Sequence, residues 1–282
     1  MTKPKINRLD IAALNLSNDL SRSSIAKLIE SGYVKVNNKV IKKTSYHIKD
    51  NDNITINYNF NKPLDKIKLK IIYQDDDVVV IDKPVGILSH SKGTLNQEPT
   101  IASWLKDIYH GPIENNRTGI VHRLDRSTSG VMICAKNIES TKWLQKQFSE
   151  RKVKKTYVAI ITGHLNIDHA IIDLPIERNP KKPQTFRINS AGKSAITEYT
   201  VIEHKNELSL IKLKPTTGRT HQLRVHLAHL GHPIVGDNIY NGVKANRLYL
   251  HAQSLEITLP SKERKIFTSP LPKEFKIYLN NG

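Results

Sequence analysis

The chain has 282 residues, of which 44 are Lys or Arg and 26 are Asp or Glu, giving a net charge of +18. That balance points to a polyanionic partner, nucleic acid first and an anionic membrane surface second, with plain solubility charge as the bland alternative. The single cysteine, Cys134, excludes an intrachain disulfide and a cysteine-based zinc cluster, and no run approaches the roughly 20 apolar residues of a membrane span.

Residues 1–10 are basic and polar with no apolar leader segment, so the expected compartment is the cytoplasm. The first sixty residues read as one compact unit. Leu9, Ile11, Ala12, Ala13, Leu14 and Leu16 predict a short helix. Ser21 predicts the N-cap of a second helix, with Ile25, Leu28 and Ile29 on one face and Gly32 at its end. Tyr33-Val34-Lys35-Val36 alternates like a strand, Asn37-Asn38 suits a tight turn, and residues 53–58 alternate again. Residues 59–68 contain Pro63, lack periodicity and read as a linker.

The rest, residues 69–282, is strand-rich. Strands are predicted over 69–73, 78–82, 119–124, 130–135, 155–161, 194–203, 209–214 and 255–259. Helices are predicted over 101–107, 139–150 and 220–230. Many strands with few helices indicate an α+β domain and not a doubly wound sheet. Cys134 lies in the apolar run Val131-Met132-Ile133-Cys134-Ala135 and reads as a small buried hydrophobe.

Two segments concentrate chemistry. In Gly119-Ile120-Val121-His122-Arg123-Leu124-Asp125, strand alternation puts Ile120, His122 and Leu124 on one face and Val121, Arg123 and Asp125 on the other. An arginine and a carboxylate then emerge together where a turn, Ser127-Thr128-Ser129-Gly130, takes over. The competing reading is a surface ion pair of little worth. In Thr216-Thr217-Gly218-Arg219-Thr220-His221-Gln222-Leu223-Arg224, Thr220 reads as an N-cap, Leu223, Leu227 and Leu230 face a core, and Arg219 lies in the loop before the helix, free to point at a cleft. The histidines 221, 226, 229 and 232 spread over several helix faces without a metal-ligand spacing, so no metal is expected. Tyr157, in Lys154-Lys155-Thr156-Tyr157, reads as a half-buried strand residue with its hydroxyl at a polar edge.

These segments resemble the signatures of the RluA-type pseudouridine synthases. Residues 121–130 with Lys136 resemble H-R-L-D-x-x-T-S-G…A-K. Residues 215–240 are similar to T-G-R-T-H-Q-[LI]-R-V-H followed by H-P-I-x-G-D-x-x-Y. Lys155-Thr156-Tyr157 matches K-x-Y, and residues 76–89, with Val80-Ile81-Asp82-Lys83-Pro84, are similar to the opening motif. The four occur in family order across nearly all of residues 69–282. Residues 8–57, with Arg8-Leu9-Asp10, Ser21-Arg22-Ser23 and Gly32-Tyr33-Val34-Lys35-Val36-Asn37, resemble an S4-type RNA-binding module.

The resemblance implies a mainly antiparallel mixed sheet behind a small N-terminal S4-like domain at residues 1–58. It implies Asp125 as the catalytic carboxylate, Arg219 as its arginine partner, and Tyr157 beneath the target ring. Arg123 is the arginine that extrudes the base and takes its place. Further RNA contacts are expected from His122, Lys83, Arg126, Thr128 and Leu223, and in the first domain from Ser21, Arg22 and Lys27. Isomerising uridine to pseudouridine needs no redox change and no cofactor. One carboxylate can suffice, as nucleophile at C1′ or as base at C2′. The implied substrate is structured RNA, nearest the RluD-like branch acting on bacterial large-subunit (23S) rRNA, with RluC-like specificity open. A monomer that makes no membrane contact is expected. The rival readings are a non-catalytic RNA-binding protein and a histidine-centred hydrolase.

Overall fold

The computed structural model describes residues 8–17, 20–59, 64–91, 95, 98–113 and 117–281. The chain divides into two units, residues 1–65 with 91–98, and residues 66–90 with 99–282.

In the first unit, α1 (Leu9–Asn15) and α2 (Arg22–Glu30) precede β1 (Val34–Val36), β2 (Lys39–Val40) and β3 (Ile54–Ile56), which form an antiparallel sheet in the order β2-β1-β3. Ser21 caps α2, accepting from the Ser24 amide at 3.2 Å. Gly32, at φ 82°, ends it in the left-handed conformation that glycine adopts without penalty. Asn37 and Asn38, at φ 51° and 66°, make the two-residue hairpin turn whose twist matches its strands. The helices bury Leu9, Ala13, Ile25, Leu28 and Ile29 against Val34, Val36 and Ile41. Leu95 joins this core, and its carbonyl accepts from the Tyr58 hydroxyl at 2.9 Å. Ser91, Leu95 and Glu98 thus cluster with the first unit, whereas the sequence reading assigns 69–282 to one continuous domain.

The second unit carries a sheet of nine strands. Its path is β4 (Lys70–Gln74), β5 (Val78–Lys83), β6 (Ser129–Ala135), β13 (Leu250–Thr258), β7 (Lys154–Thr162), β12 (Leu208–Pro215), β11 (Ile196–Lys205) and β8 (His169–Asp173), and β14 (Arg264–Thr268) pairs with β13. The β6–β13 pair is parallel and the other pairs are antiparallel. Gly130 makes that parallel approach possible: it sits at φ 114°, and a Cβ there would lie 2.1 Å from the Ala252 carbonyl oxygen. A two-stranded ribbon, β9 (Ile176–Arg178) with β10 (Phe186–Ile188), stands apart from the sheet. The helices α3 (Ile101–Leu105), α4 (Ile138–Ser149), α5 (Gln222–His229) and α6 (Lys273–Asn281) complete the fold. α3 and α4 open with reciprocal capping boxes from Thr100 with Ser103 and Asn137 with Ser140.

Three local expectations are corrected. Residues 119–124 are not a strand: Ile120 makes one bridge to Cys134, and the chain then runs irregularly to β6. α5 begins at Gln222, and its N-cap is His221, not Thr220. His221 sits at φ 58°, because the Gln222 side chain already organises the preceding loop, accepting from the Arg219 amide at 3.0 Å and the Thr217 hydroxyl at 2.7 Å. β13 spans Leu250–Thr258, longer than the predicted 255–259. Cys134 is fully buried, with its thiol pKa raised by that burial.

Candidate active site

The loop at the end of the expected strand, residues 124–128, is fixed by the residues of the opening motif. Ser89 bonds both backbone groups of Leu124, donating to its carbonyl at 2.8 Å and accepting from its amide at 3.2 Å. The Gly86 amide donates to the Arg126 carbonyl at 2.8 Å. Lys83 passes underneath, its Nζ donating to the carbonyls of Thr128 at 2.8 Å, Pro84 at 2.9 Å and Arg126 at 3.5 Å. The Thr128 amide closes the turn on the Asp125 carbonyl at 3.0 Å. Such a clamped loop satisfies its backbone without a ladder, so Asp125 is held at a defined position off the end of β6.

Asp125 opens into a cavity of about 530 Å³. Its wall includes residues 121–125 and Thr128, Tyr157 and Lys155 from β7, the loop 215–221, Leu223 and Arg224 from α5, and Leu250. The volume suits a nucleoside-sized ligand. The Asp125 side chain retains 19% of its exposure, enough for a ligand to reach it.

The cation beside Asp125 is Arg224. Its Nη1 lies 3.4 Å from Asp125 Oδ2. Burial penalises the guanidinium, but the Asp237 carboxylate more than offsets this and holds its pKa above the ordinary value. The Arg224–Asp237 pair is two-pronged, with Nε to Oδ2 at 2.6 Å and Nη2 to Oδ1 at 2.7 Å. Asp237 also accepts from the amides of Ile239 and Tyr240, and the Tyr240 ring faces the guanidinium at 5.2 Å. With Nε and Nη2 engaged by Asp237, Arg224 has Nη1 left to present to Asp125.

Arg219 is therefore corrected as the partner of Asp125. Its Nε donates instead to the Ser194 carbonyl at 3.0 Å, and it lines the cavity mouth. Arg219 lies in the loop and Arg224 on the buried face of α5. The sequence signal that identifies Arg224 is a charged residue within a buried helical run, which demands a carboxylate partner. Asp237, at the end of Pro233-Ile234-Val235-Gly236, is that partner.

His221 supplies a third group near Asp125, with its Nε2 3.7 Å from Oδ2. Its Nδ1 meets the Tyr240 hydroxyl at 2.9 Å, and that hydroxyl accepts from the Phe186 amide. Burial lowers its pKa, although Asp125 pulls it up, so it is neutral at pH 7. The sequence reading considered this histidine only as a metal ligand.

Tyr157 lines the cavity from β7. Burial first, and the charge of Asp125 second, raise its phenol pKa, so the hydroxyl keeps its proton. Leu223 adds an apolar surface beside it. Arg123 is exposed at the cavity wall, and Arg126 is exposed one residue beyond Asp125.

Several expected RNA contacts have other occupations. Lys83 is fully buried, and burial pulls its pKa down to about 7, so it clamps the loop and does not reach RNA. Thr128 is buried and serves the turn. His122 accepts from the Ile133 amide at 3.1 Å and stacks on Phe148; burial, then Lys155, lower its pKa to about 3, making it neutral wall. In the first unit, Ser21 is the helix cap and Arg22 is paired with the buried Asp10 at 2.8 Å. Lys27 is exposed on α2.

Residues 77–229 match the RNA pseudouridylate synthase family, and residues 7–54 match the S4 domain. A ribosomal large subunit pseudouridine synthase D from Borreliella burgdorferi is 38% identical, over 97% of this chain and 89% of that protein. The Escherichia coli K12 protein of the same description is 36% identical, over 83% of this chain and 73% of its own length. Among solved structures, human RNA pseudouridylate synthase domain containing 1 superposes with a TM-score of 0.61 at 32% identity, over 72% of this chain and 83% of the human one.

Proposed function

The chain belongs to the RNA pseudouridylate synthase family, and we propose that it converts uridine to pseudouridine in large-subunit rRNA, with Asp125 as the catalytic carboxylate. The observation that carries the assignment of Asp125 is its setting: a reachable carboxylate at the base of a nucleoside-sized cavity, 3.4 Å from an arginine that a second, buried aspartate holds in place.

The reaction breaks the bond from N1 to C1′, turns the uracil over, and joins C5 to C1′. The proton on C5 is lost and N1 gains one, so atoms balance without any addition. Asp125 starts it as a nucleophile at C1′ or as a base at C2′. Arg224 favours the ionised carboxylate and fixes its direction through charge and geometry. Tyr157, with its hydroxyl intact, lies flat against the base or bonds to it, and Leu223 confines the ring. A uridine inside folded RNA must leave its stack to reach this depth, and exposed Arg123 is placed at the rim to fill the gap. Exposed Lys27 supports a role for the first unit in holding structured RNA. A large-subunit rRNA substrate supports a cytoplasmic location, and no helix among the described residues is long and apolar enough to cross a membrane.

The test is pseudouridine mapping across large-subunit rRNA from cells carrying the wild-type gene or Asp125→Asn. The amide is nearly isosteric but cannot serve as nucleophile or base. The expected result is loss of one or more sites, with a rate in vitro lower by at least about 10⁴-fold while RNA binding persists. Unchanged modification would remove Asp125 from the chemistry.

A further inference from the structure

β7 projects two pocket residues from one face, Tyr157 and, two positions earlier, Lys155. Strand geometry separates such side chains by about 7 Å along the strand. Tyr157 is on the Asp125 side of the cavity, and its phenol responds to the Asp125 charge. Lys155 is further out, beside the loop 216–218, with its Nζ donating to the Thr217 carbonyl at 3.3 Å. A Cβ on Gly218 would lie 3.9 Å from that nitrogen, and both residues line the cavity.

The other lysines around it are accounted for. Lys152 pairs with Glu150 at 2.7 Å and Lys154 with Glu256 at 3.2 Å, both on the surface. Lys155 is half-buried, burial pulls its pKa down to about 8, and no ion-pair partner meets it among the described residues. An ammonium has three donors, and the Thr217 bond uses one. The two remaining donors of this partly desolvated cation are open to an anion at the cavity. Arg151 and Ser149 line the same wall and extend the polar path outward.

We propose that Lys155 is a phosphate-binding residue, taking the backbone phosphate next to the uridine whose base lies on Tyr157. The assignment rests on the function proposed above. It gives the cavity a division of labour along one strand: base at residue 157, phosphate at residue 155. A structural tie of the 216–218 loop is the competing role, and salt separates the two. A phosphate contact releases condensed counterions, whereas an internal tie does not.

The experiment measures affinity for a large-subunit rRNA transcript containing the modified uridine, from about 50 to 200 mM salt. Lys155→Met should weaken binding about tenfold and flatten the slope of log affinity against log salt by about 0.7–0.9. Lys155→Arg should keep the wild-type slope. A Lys155→Met slope equal to wild type, with the melting temperature retained, overturns the proposal. Should Lys155→Met not fold, the wild-type protein is given transcripts with an uncharged methylphosphonate at either linkage of that uridine. One of the two should bind about tenfold more weakly; undiminished binding of both overturns the proposal. Pseudouridine formation by the wild-type protein on the same transcript is scored throughout, so failure of the chemistry is told apart from failure of the lysine assignment.

Discussion

The floor and the rim of the cavity are built on opposite principles. On the floor, Asp125, Arg224 and Asp237 form a chain in which each charge has a partner, and Asp237 is completely buried. On the rim, Arg123 is exposed, and Arg219 holds a backbone carbonyl and no carboxylate among the described residues. Groups that must meet a reacting atom at a set distance are over-determined by their neighbours. Groups that must follow a flexible polyanion keep their rotamer freedom and their hydration. Two arginines five residues apart, Arg219 and Arg224, fall on the two sides of this division.

Exchanging those two arginines is the severest way to break the comparison. Arg224→Met leaves Asp237 buried without its counter-charge, and the expected stability loss is about 3–5 kcal/mol. It also removes the fixed charge beside Asp125, so the single-turnover rate should fall about 10³-fold. Arg219→Met should lose less than tenfold in rate and show its effect in RNA affinity. Single-turnover kinetics with denaturant unfolding of both variants checks this; equal rate losses would abolish the distinction between floor and rim.

Tyr157→Phe sharpens the comparison within the floor. The phenol is protonated, so removing its oxygen tests whether the hydroxyl contributes beyond ring packing. A rate loss of about 10²-fold with RNA affinity kept is expected. A near wild-type rate would leave only the ring.

How far the site was legible in the sequence follows the same division. Asp125, Arg123 and Tyr157 could be placed by the motifs, since each matches one position of a short signature. The arginine partner could not be placed from spacing, because Arg219 and Arg224 share one signature and only burial separates them. Alternation suggested a strand over residues 119–124. The periodic pattern is real, with Ile120 and Leu124 buried, but Ser89 takes the Leu124 backbone from 35 residues away, and Gly86 and Lys83 hold Arg126 and Thr128 just beyond it. Those contacts leave no local trace. Lys83 misled for the same reason: beside a proline at a strand end it resembles a surface cation, yet three carbonyls surround it. The strands β9 and β10, of three residues each, are too short for periodicity to show.

Lys83 gives the smallest effect and probes how the floor itself is supported. Burial lowers its pKa from 10.5 to about 7, against the pull of Asp125. Between those two values the unfolded chain binds a proton that the folded chain does not. Stability therefore rises with pH across that window, by up to about 1.4 kcal/mol per unit for this lysine. Below pH 7 the folded protein carries the full cost of the buried charge. Lys155, at about 8, adds a contribution of the same sign above that pH. Urea unfolding of the wild type and Lys83→Met at pH 7.5 and 9.5 isolates the Lys83 part. The wild type should gain more between the two pH values, on the order of 2 kcal/mol. Parallel behaviour of the two proteins would mean that the three carbonyls keep the ammonium charged throughout. The floor of the cavity would then rest on a permanent cation beneath Asp125, and not on one that gives up its proton near neutral pH.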